Sequence, residues 1–565
     1  MADWSFGIQC RSHESELYES ADLVVACHGS VYDASLSTPT GSQQSCAALL
    51  ARSWRAGGAG CLENIDGDFS ALVHHRGSGI TYVFVSVSMA RPLFVARADE
   101  RLVLASEVRQ VAAGGGFSQT LDLEQVVQSL LVGMPVMDTH RTEYLGIDRL
   151  ESPRIYACAP HKFDVSTVGQ YWTPPELQAY SMRDQTDLAA QVVELIVKEV
   201  DSLPAATGFA LSGGYDSGLL WAVANRFQDS RQRFSAYSFY GSSADIAQGS
   251  PLMALLFRTR TNAAFVELAG LDPAPYDEAN LCDVDRMPFA PTLYTFNVVA
   301  ERMRADRQTG IVIGFGAEGW LSAPSCYAAD ELRSGRLLNL VVDALRFRPY
   351  SAHESGRAAR MAAFLRAAVA PPGSTLYRLK RLRSAPDWLC PEWHNLASAI
   401  WESIDRTRAK EGYGRGHKWL ALKHHAVGIG VERIEQLAER FGLDLFAPYM
   451  RRGFMEFGFS VPARVLNGGR HPKDLLRRCA AKALGADPPW SDLKLEDVPS
   501  GRSVGFLVDL GPPVDWKLVE VGIVAKDALA DLLAQARRMG RVDDPLVNLV
   551  YKERYLRRYG VAASG

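Results

Sequence analysis

One stretch limits the possible folds more than any other: residues 207–220 read TGFALSGGYDSGLL, an apolar run that breaks into Ser-Gly-Gly and resumes as a helix-like apolar pattern. A buried strand that turns at once into a helix belongs to an open parallel sheet, where ligands sit at the carboxyl ends of the strands. The glycines matter because a residue without Cβ lets the backbone approach a ligand closely and accepts left-handed conformations.

The surrounding patterns place this stretch in the second of two domains, as expected for a chain of 565 residues, which exceeds the size of a single growing core. From residue 1 to about 175, runs such as ADLVVACHGSVYD, GDFSALVHHRG and ITYVFVSVS alternate apolar and polar residues between glycine-rich turns, predicting an antiparallel sheet domain. Helices are predicted at CAALLARSW and LEQVVQSLLVG. The Pro pair in QYWTPPELQAYSMRDQTD breaks this pattern and sets the boundary, giving domains 1–178 and 179–565. Beyond it the predicted elements alternate: helix DLAAQVVELIVKEVDSL, strand TGFALSGG, helix SGLLWAVANRFQ, strand RFSAYSFYG, then PLMALLFRTR, AAFVEL, LYTFNVVAERMRA and TGIVIGFG. That succession predicts a parallel α/β domain, with helical additions from about residue 330 onward.

A formal net charge of −3 gives no basic field for nucleic acid or an anionic membrane, so neither is expected as a partner. The nine cysteines are odd in number, scattered, and never spaced as CxxC, which suits a reducing compartment and argues against a zinc ribbon. The first residues, MADWSFGIQCRSHESE, lack an apolar core of signal-peptide length, and no run approaches the roughly 18 apolar residues of a membrane span. A soluble, cytoplasmic protein is expected.

Ser212, Gly213 and Gly214, followed by a helix start that includes Ser217, predict a cradle of peptide N–H groups for phosphate oxygens. Asp216 in that cradle would repel a polyphosphate unless a cation lay between them, which calls for Mg²⁺. The spacing is not the G-x-x-x-x-G-K-[ST] loop, which has a lysine in place of this acid.

SGGYDS resembles the SGGxDS loop of the ATP pyrophosphatases, which implies ATP as the nucleotide and release of pyrophosphate. The order of features over about residues 20 to 505 resembles the asparagine synthetase superfamily: HGSVYD, GDFSALV, RPLFVAR, LASEV, GIDRLESP and QYW, then GFGAEGWL, GLDLFAPYM, GGRHPKDLLRRCA and PWSDLKLEDVPSG. The resemblance implies an N-terminal Ntn-hydrolase-like antiparallel β-sandwich, a degenerate glutaminase, followed by an ATP-pyrophosphatase-like domain. It also implies that Gly316 helps bind the nucleotide, that Glu318 holds Mg²⁺ together with Asp216, and that Lys494 stabilises charge on the reacting phosphates.

Departures from the family pattern refine the expected activity. The family's glutaminase uses a cysteine directly after the initiator Met, whereas residue 2 here is Ala and the first cysteine is Cys10. No glutamine hydrolysis is therefore expected, and the attacking amine must belong to the substrate. Phe315 stands where asparagine synthetases have Glu and β-lactam synthetases have Tyr, and a phenyl ring takes no proton. Glu432 and Glu435, one helical turn apart, are the alternative candidates for the base, or else solvated charges on an amphipathic helix. The chain most resembles the lasso-peptide macrolactam synthetases and β-lactam synthetases, which close an amide ring by adenylating a carboxylate. A precursor peptide or a small amino-carboxylate is the implied substrate, with a leader-processing protease as a partner for the peptide. A small-molecule amide synthetase, an ammonia-dependent asparagine synthetase and a non-catalytic binding module are the competing readings.

Overall fold

The computed structural model describes residues 15–33, 45–98, 101–115, 120–132, 136–159, 164–227, 233–240, 251–267, 293–347, 357–371, 385–423, 426–488, 502–503, 510–542 and 544–559. Strands β1 (Ser15–Glu19), β2 (Leu23–Asp33), β3 (Ile65–His75), β4 (Thr81–Val85), β8 (Arg154–Cys158) and β9 (Ser166–Gln170) form an antiparallel sheet in the order β1-β2-β3-β4-β8-β9. A second antiparallel sheet has the order β6-β5-β7, from β5 (Phe94–Ala98), β6 (Arg101–Ala105) and β7 (Ile147–Arg149).

Alternation along β3 and β4 sends Leu72, Val83 and Val85 toward Leu93, Val95, Leu102 and Leu104, so the two sheets share an apolar layer. The opposite side chains, Val25, Val73 and Phe84, pack under helix α1 (Cys46–Gly57) through Leu50 and Trp54. The Trp54 and Phe84 rings stack with centroids 5.7 Å apart. Ser45 caps α1 by accepting the Ala48 N–H at 3.3 Å. β3 is buried along most of its length because both its faces are covered.

After an extended connection, helix α4 (Gln185–Ser202) leads into a five-stranded parallel sheet; α2 (Val108–Gly115) and α3 (Leu123–Val132) precede it in the N-terminal half. The order is β12-β11-β10-β13-β14, from β10 (Thr207–Leu211), β11 (Phe234–Tyr240), β12 (Ala263–Glu267), β13 (Gly310–Val312) and β14 (Asp444–Phe446). The chain winds outward from β10 in one direction and returns to pair β13 on its other side. The switch point therefore lies between β10 and β13, where such sheets open a crevice. Helix α5 (Tyr215–Phe227), apolar nearly all round, is buried from Ser217 to Ala224, as a helix covered on several sides must be.

The C-terminal helices Lys526–Met539 and Asp544–Tyr559 do not join the core of the parallel sheet. Leu529, Val547, Val550 and Leu556 share an apolar cluster with Phe94, Val111, Val126 and Val127 of the N-terminal half, and the Tyr144 and Tyr555 hydroxyls hydrogen-bond there. Amphipathic periodicity announces a buried face without saying what covers it. Among the described residues no helix is long and apolar enough to cross a membrane.

Candidate nucleotide site

Two loops meet at the switch point. The first follows β10: Ser212 is exposed, Gly213 has φ +75°, and α5 begins at Tyr215, which places Asp216 in the first helical turn. Ser217 is buried, and its Oγ accepts the Ser212 N–H at 3.2 Å, so this hydroxyl shapes the loop from within.

The second loop follows β13, and just past the strand the Ile313 N–H donates to the Phe446 carbonyl at 3.0 Å. At Gly314 the backbones touch: a Cβ there would stand 2.5 Å from Ser217 N and 2.8 Å from Asp216 C. Gly316, at φ +97°, caps the short helix Ala317–Trp320 that carries Glu318, and a Cβ on it would meet Met450 Sδ at 2.8 Å. The glycines of GFG thus let the second loop lie flat against the first.

Lys473, which precedes helix Asp474–Leu484, joins the loops. Its Nζ lies 2.9 and 2.7 Å from the two Asp216 carboxylate oxygens and 2.7 Å from Glu318 Oε1. The Lys473 side chain is 7% exposed, against 23% for Asp216 and 57% for Glu318. Burial opposes the ammonium charge, but Asp216 and Glu318 outweigh it and hold the lysine above its usual range. Tyr449, fully buried, donates its hydroxyl to the Asp216 carbonyl at 3.0 Å and fixes the helix start from below. Burial, and then the nearby Asp216 charge, push the Tyr449 hydroxyl well above the usual range, so it remains a donor.

Ser212, Gly213, Gly214, Asp216, Ser217, Gly316 and Glu318 therefore come together in one crevice. Lys473 is the member that single residues in the sequence did not mark, because a lysine before a helix is ordinarily a solvated charge. Its one signal was its neighbourhood, the GGRHPKDLLRRCA segment. Lys494 lies outside the described residues. The carboxylates of Asp216 and Glu318 reach one cationic point, and such hard oxygen donors fit the Mg²⁺ that the Asp216 argument requires.

Glu432 and Glu435 are not the solvated charges of an amphipathic helix. Both are buried on helix Ala426–Arg440, so neither is a solvated charge. Glu432 lies 3.0 Å from Arg149 and Glu435 2.5 Å from Arg91, both arginines of the N-terminal half. These ion pairs join the helix to the N-terminal half. The same helix packs its Gly428 against Ser88 and Met89, and its Gly430 against the ring of Phe315, which is 38% exposed beside the loop.

A parallel sheet with a glycine loop, two acids and a buried lysine at its switch point defines the nucleotide-handling class of α/β proteins. The family model for asparagine synthase matches residues 204–487, half of the chain, and the chain belongs to that family. Membership makes it an ATP-dependent ligase whose general reaction is amide-bond formation. No curated protein matches the chain. Among solved structures it is similar to the U34-tRNA thiolase NcsA from Methanococcus maripaludis with its 4Fe–4S cluster, at 11% identity and a TM-score of 0.21, over 48% of this chain and 91% of that one. It is also similar to the allosteric regulatory enzyme of purine biosynthesis, at 8% identity and a TM-score of 0.20, over 46% of this chain and 64% of that one. At those scores neither likeness carries an argument.

Proposed function

We propose that the protein uses ATP and Mg²⁺ to join a carboxylate and an amine of the same substrate, closing a ring, with macrolactam formation in a lasso-type precursor peptide as the favoured case. The observation that carries this reading is the convergence of Asp216, Glu318 and Lys473 beside the 212–217 loop. Magnesium held by Asp216 and Glu318 would neutralise phosphate charge. Lys473, already charged and nearly dry, offers a fixed cation where charge develops, and such groups act most strongly where water is excluded.

In the first step a substrate carboxylate oxygen attacks the α-phosphorus of ATP, the bond to the bridging oxygen breaks, and pyrophosphate leaves. In the second, the amine attacks the acyl carbon, the carbon–oxygen bond to AMP breaks, and the proton of the amine passes to a base. Lys494 is assigned to phosphate charge as the family resemblance implies. The base is assigned to neither Glu432 nor Glu435, whose carboxylates face arginines. The N-terminal half serves as an Ntn-type support without glutaminase chemistry, and a leader-processing protease would accompany the peptide substrate in a soluble, cytoplasmic reaction.

The test is mass spectrometry after incubating the protein with Mg·ATP and a leader-free peptide bearing an N-terminal Gly and an Asp or Glu within its first ten or so residues. AMP together with a peptide lighter by one water supports the reading, and Asp216→Ala and Lys494→Ala should abolish both. AMP without dehydrated peptide moves the assignment to a small-molecule amide synthetase, the β-lactam type included. Failure to bind Mg·ATP removes the enzyme reading and leaves a binding module.

A further inference from the structure

A cavity of about 670 Å³ opens beside the nucleotide loop, within the roughly 300–1,000 Å³ of small-molecule sites. Its walls are the end of helix Leu337–Arg346, the start of helix Arg357–Val369 and the start of helix Asp474–Leu484. Among the described residues five arginines line it, Arg346, Arg357, Arg360, Arg470 and Arg477, against one acid, Asp474. Asp474 is already engaged by Arg478 at 2.8 Å, so it neutralises little of this charge. Arg346, Arg357 and Arg470 have no carboxylate partner among the described residues. These three guanidinium groups, drawn to one concavity, give it positive potential, and their planar forks match carboxylates and phosphates.

The cavity adjoins the nucleotide site along two short stretches of chain. His471 and Asp474 line the cavity, while Lys473 between them turns its side chain the other way, onto Asp216. Arg477 stands over the Tyr215 ring at 5.8 Å, and Tyr215 immediately precedes Asp216. An anion held by these arginines would sit alongside the 212–217 loop without occupying it.

We propose that this cavity is an anion subsite for the acyl substrate: it takes the non-reacting acidic groups, two or more carboxylates close together, of the molecule whose remaining carboxylate is activated at the neighbouring loop. This rests on the proposed reaction for what happens next door, but not for the existence of the subsite. The chemistry it reads is a compact polyanion; with ATP placed at the neighbouring loop, the released pyrophosphate is the other source in the reaction.

Isothermal titration of the full chain separates the two sources, using tricarballylate as a tricarboxylate probe and inorganic pyrophosphate as the second. Tricarballylate should bind, and weaken about tenfold or more in Arg357→Gln/Arg470→Gln, the change expected from losing a charge-assisted hydrogen bond. Both arginines are exposed, so the double variant should melt at the wild-type temperature and keep its Mg·ATP affinity. Asp216→Ala should do the reverse, losing Mg·ATP and keeping tricarballylate. Binding of pyrophosphate alone overturns the acid-substrate assignment in favour of a product exit. No binding of either probe, or equal binding by the double variant, overturns the subsite. A wild-type chain that takes tricarballylate but not Mg·ATP refutes the proposed reaction and leaves the subsite standing.

Discussion

Glu432→Gln is the most exacting test of the Arg149–Glu432 clamp between the helix and the N-terminal half. Glu432 and Arg149 are each 2% exposed, and their charges stand 3.0 Å apart. At that separation two unit charges attract by about 5 kcal/mol at an effective dielectric of about 20. Desolvation offsets most of that gain while the pair is intact, so the pair itself adds little net stability. Removing one partner is different, because Arg149 would remain buried without the Glu432 charge, and its hydrogen bond to the Met89 carbonyl at 2.9 Å brings no counter-charge. The expected loss is about 3–5 kcal/mol, the usual cost of leaving one buried charge uncompensated. Arg149→Met combined with Glu432→Leu should recover at least about 2 kcal/mol of it, since no charge is then stranded. Urea denaturation of the full chain, followed by tryptophan fluorescence, measures Glu432→Gln, the double variant, and Arg149→Met and Glu432→Leu singly. A loss below about 1 kcal/mol in Glu432→Gln, or a double variant that loses the sum of its two single changes, would refute the clamp.

Other changes address the site directly. Lys473→Met removes the cation shared by Asp216 and Glu318 and should lower AMP formation by about a hundredfold or more with the fold intact; undiminished turnover in a steady-state AMP assay contradicts this role. Gly314→Ala should abolish the thermal shift given by Mg·ATP, because its Cβ would press on the Ser217 backbone at 2.5 Å, whereas Gly430→Ala presses on the movable Phe315 ring and should be milder. The reverse ranking would show that the two loops are not in register as described. Burial, only partly countered by Arg451, pushes Glu199 up to about 7, so the native carboxyl keeps a proton that the unfolded chain has already lost. Its contribution is present below the ordinary carboxylate range and disappears as pH rises toward about 7, amounting to a few kcal/mol in order of magnitude. Urea midpoints from pH 4.5 to 8 should show a decline that Glu199→Gln flattens; equal slopes in both proteins would remove Glu199 as its source.

Much of this was legible in the sequence, because the relevant signals are local. Alternation in GDFSALVHHRG and ITYVFVSVS announces β3 and β4, and the break after TGFAL announces the loop, since a strand that ends in Ser-Gly-Gly has few conformations open to it. Charge pairing across the fold was not legible. Glu432 and Glu435 sit on a helix whose apolar stripe was visible, yet nothing local shows that the polar face is also buried, against arginines nearly 300 or more residues away in sequence. Lys473 was hidden for the same reason, as was the docking of the C-terminal helices on the N-terminal half. The arginine cavity collects side chains from three separated helices, an arrangement that only tertiary structure reveals.

The helix Ala426–Arg440 has a consequence for dissecting the chain. Its Glu432 and Glu435 find counter-ions in the N-terminal half, and the C-terminal helices bury their apolar faces there as well. Cutting the backbone along the extended stretch between residues 171 and 184 would sever the cheapest connection and leave the costly ones in place. A fragment holding only the second half would carry stranded carboxylates and a bare greasy flank. It should be insoluble when made alone and recover its solubility when both halves are produced together, each acting as the other's folding partner.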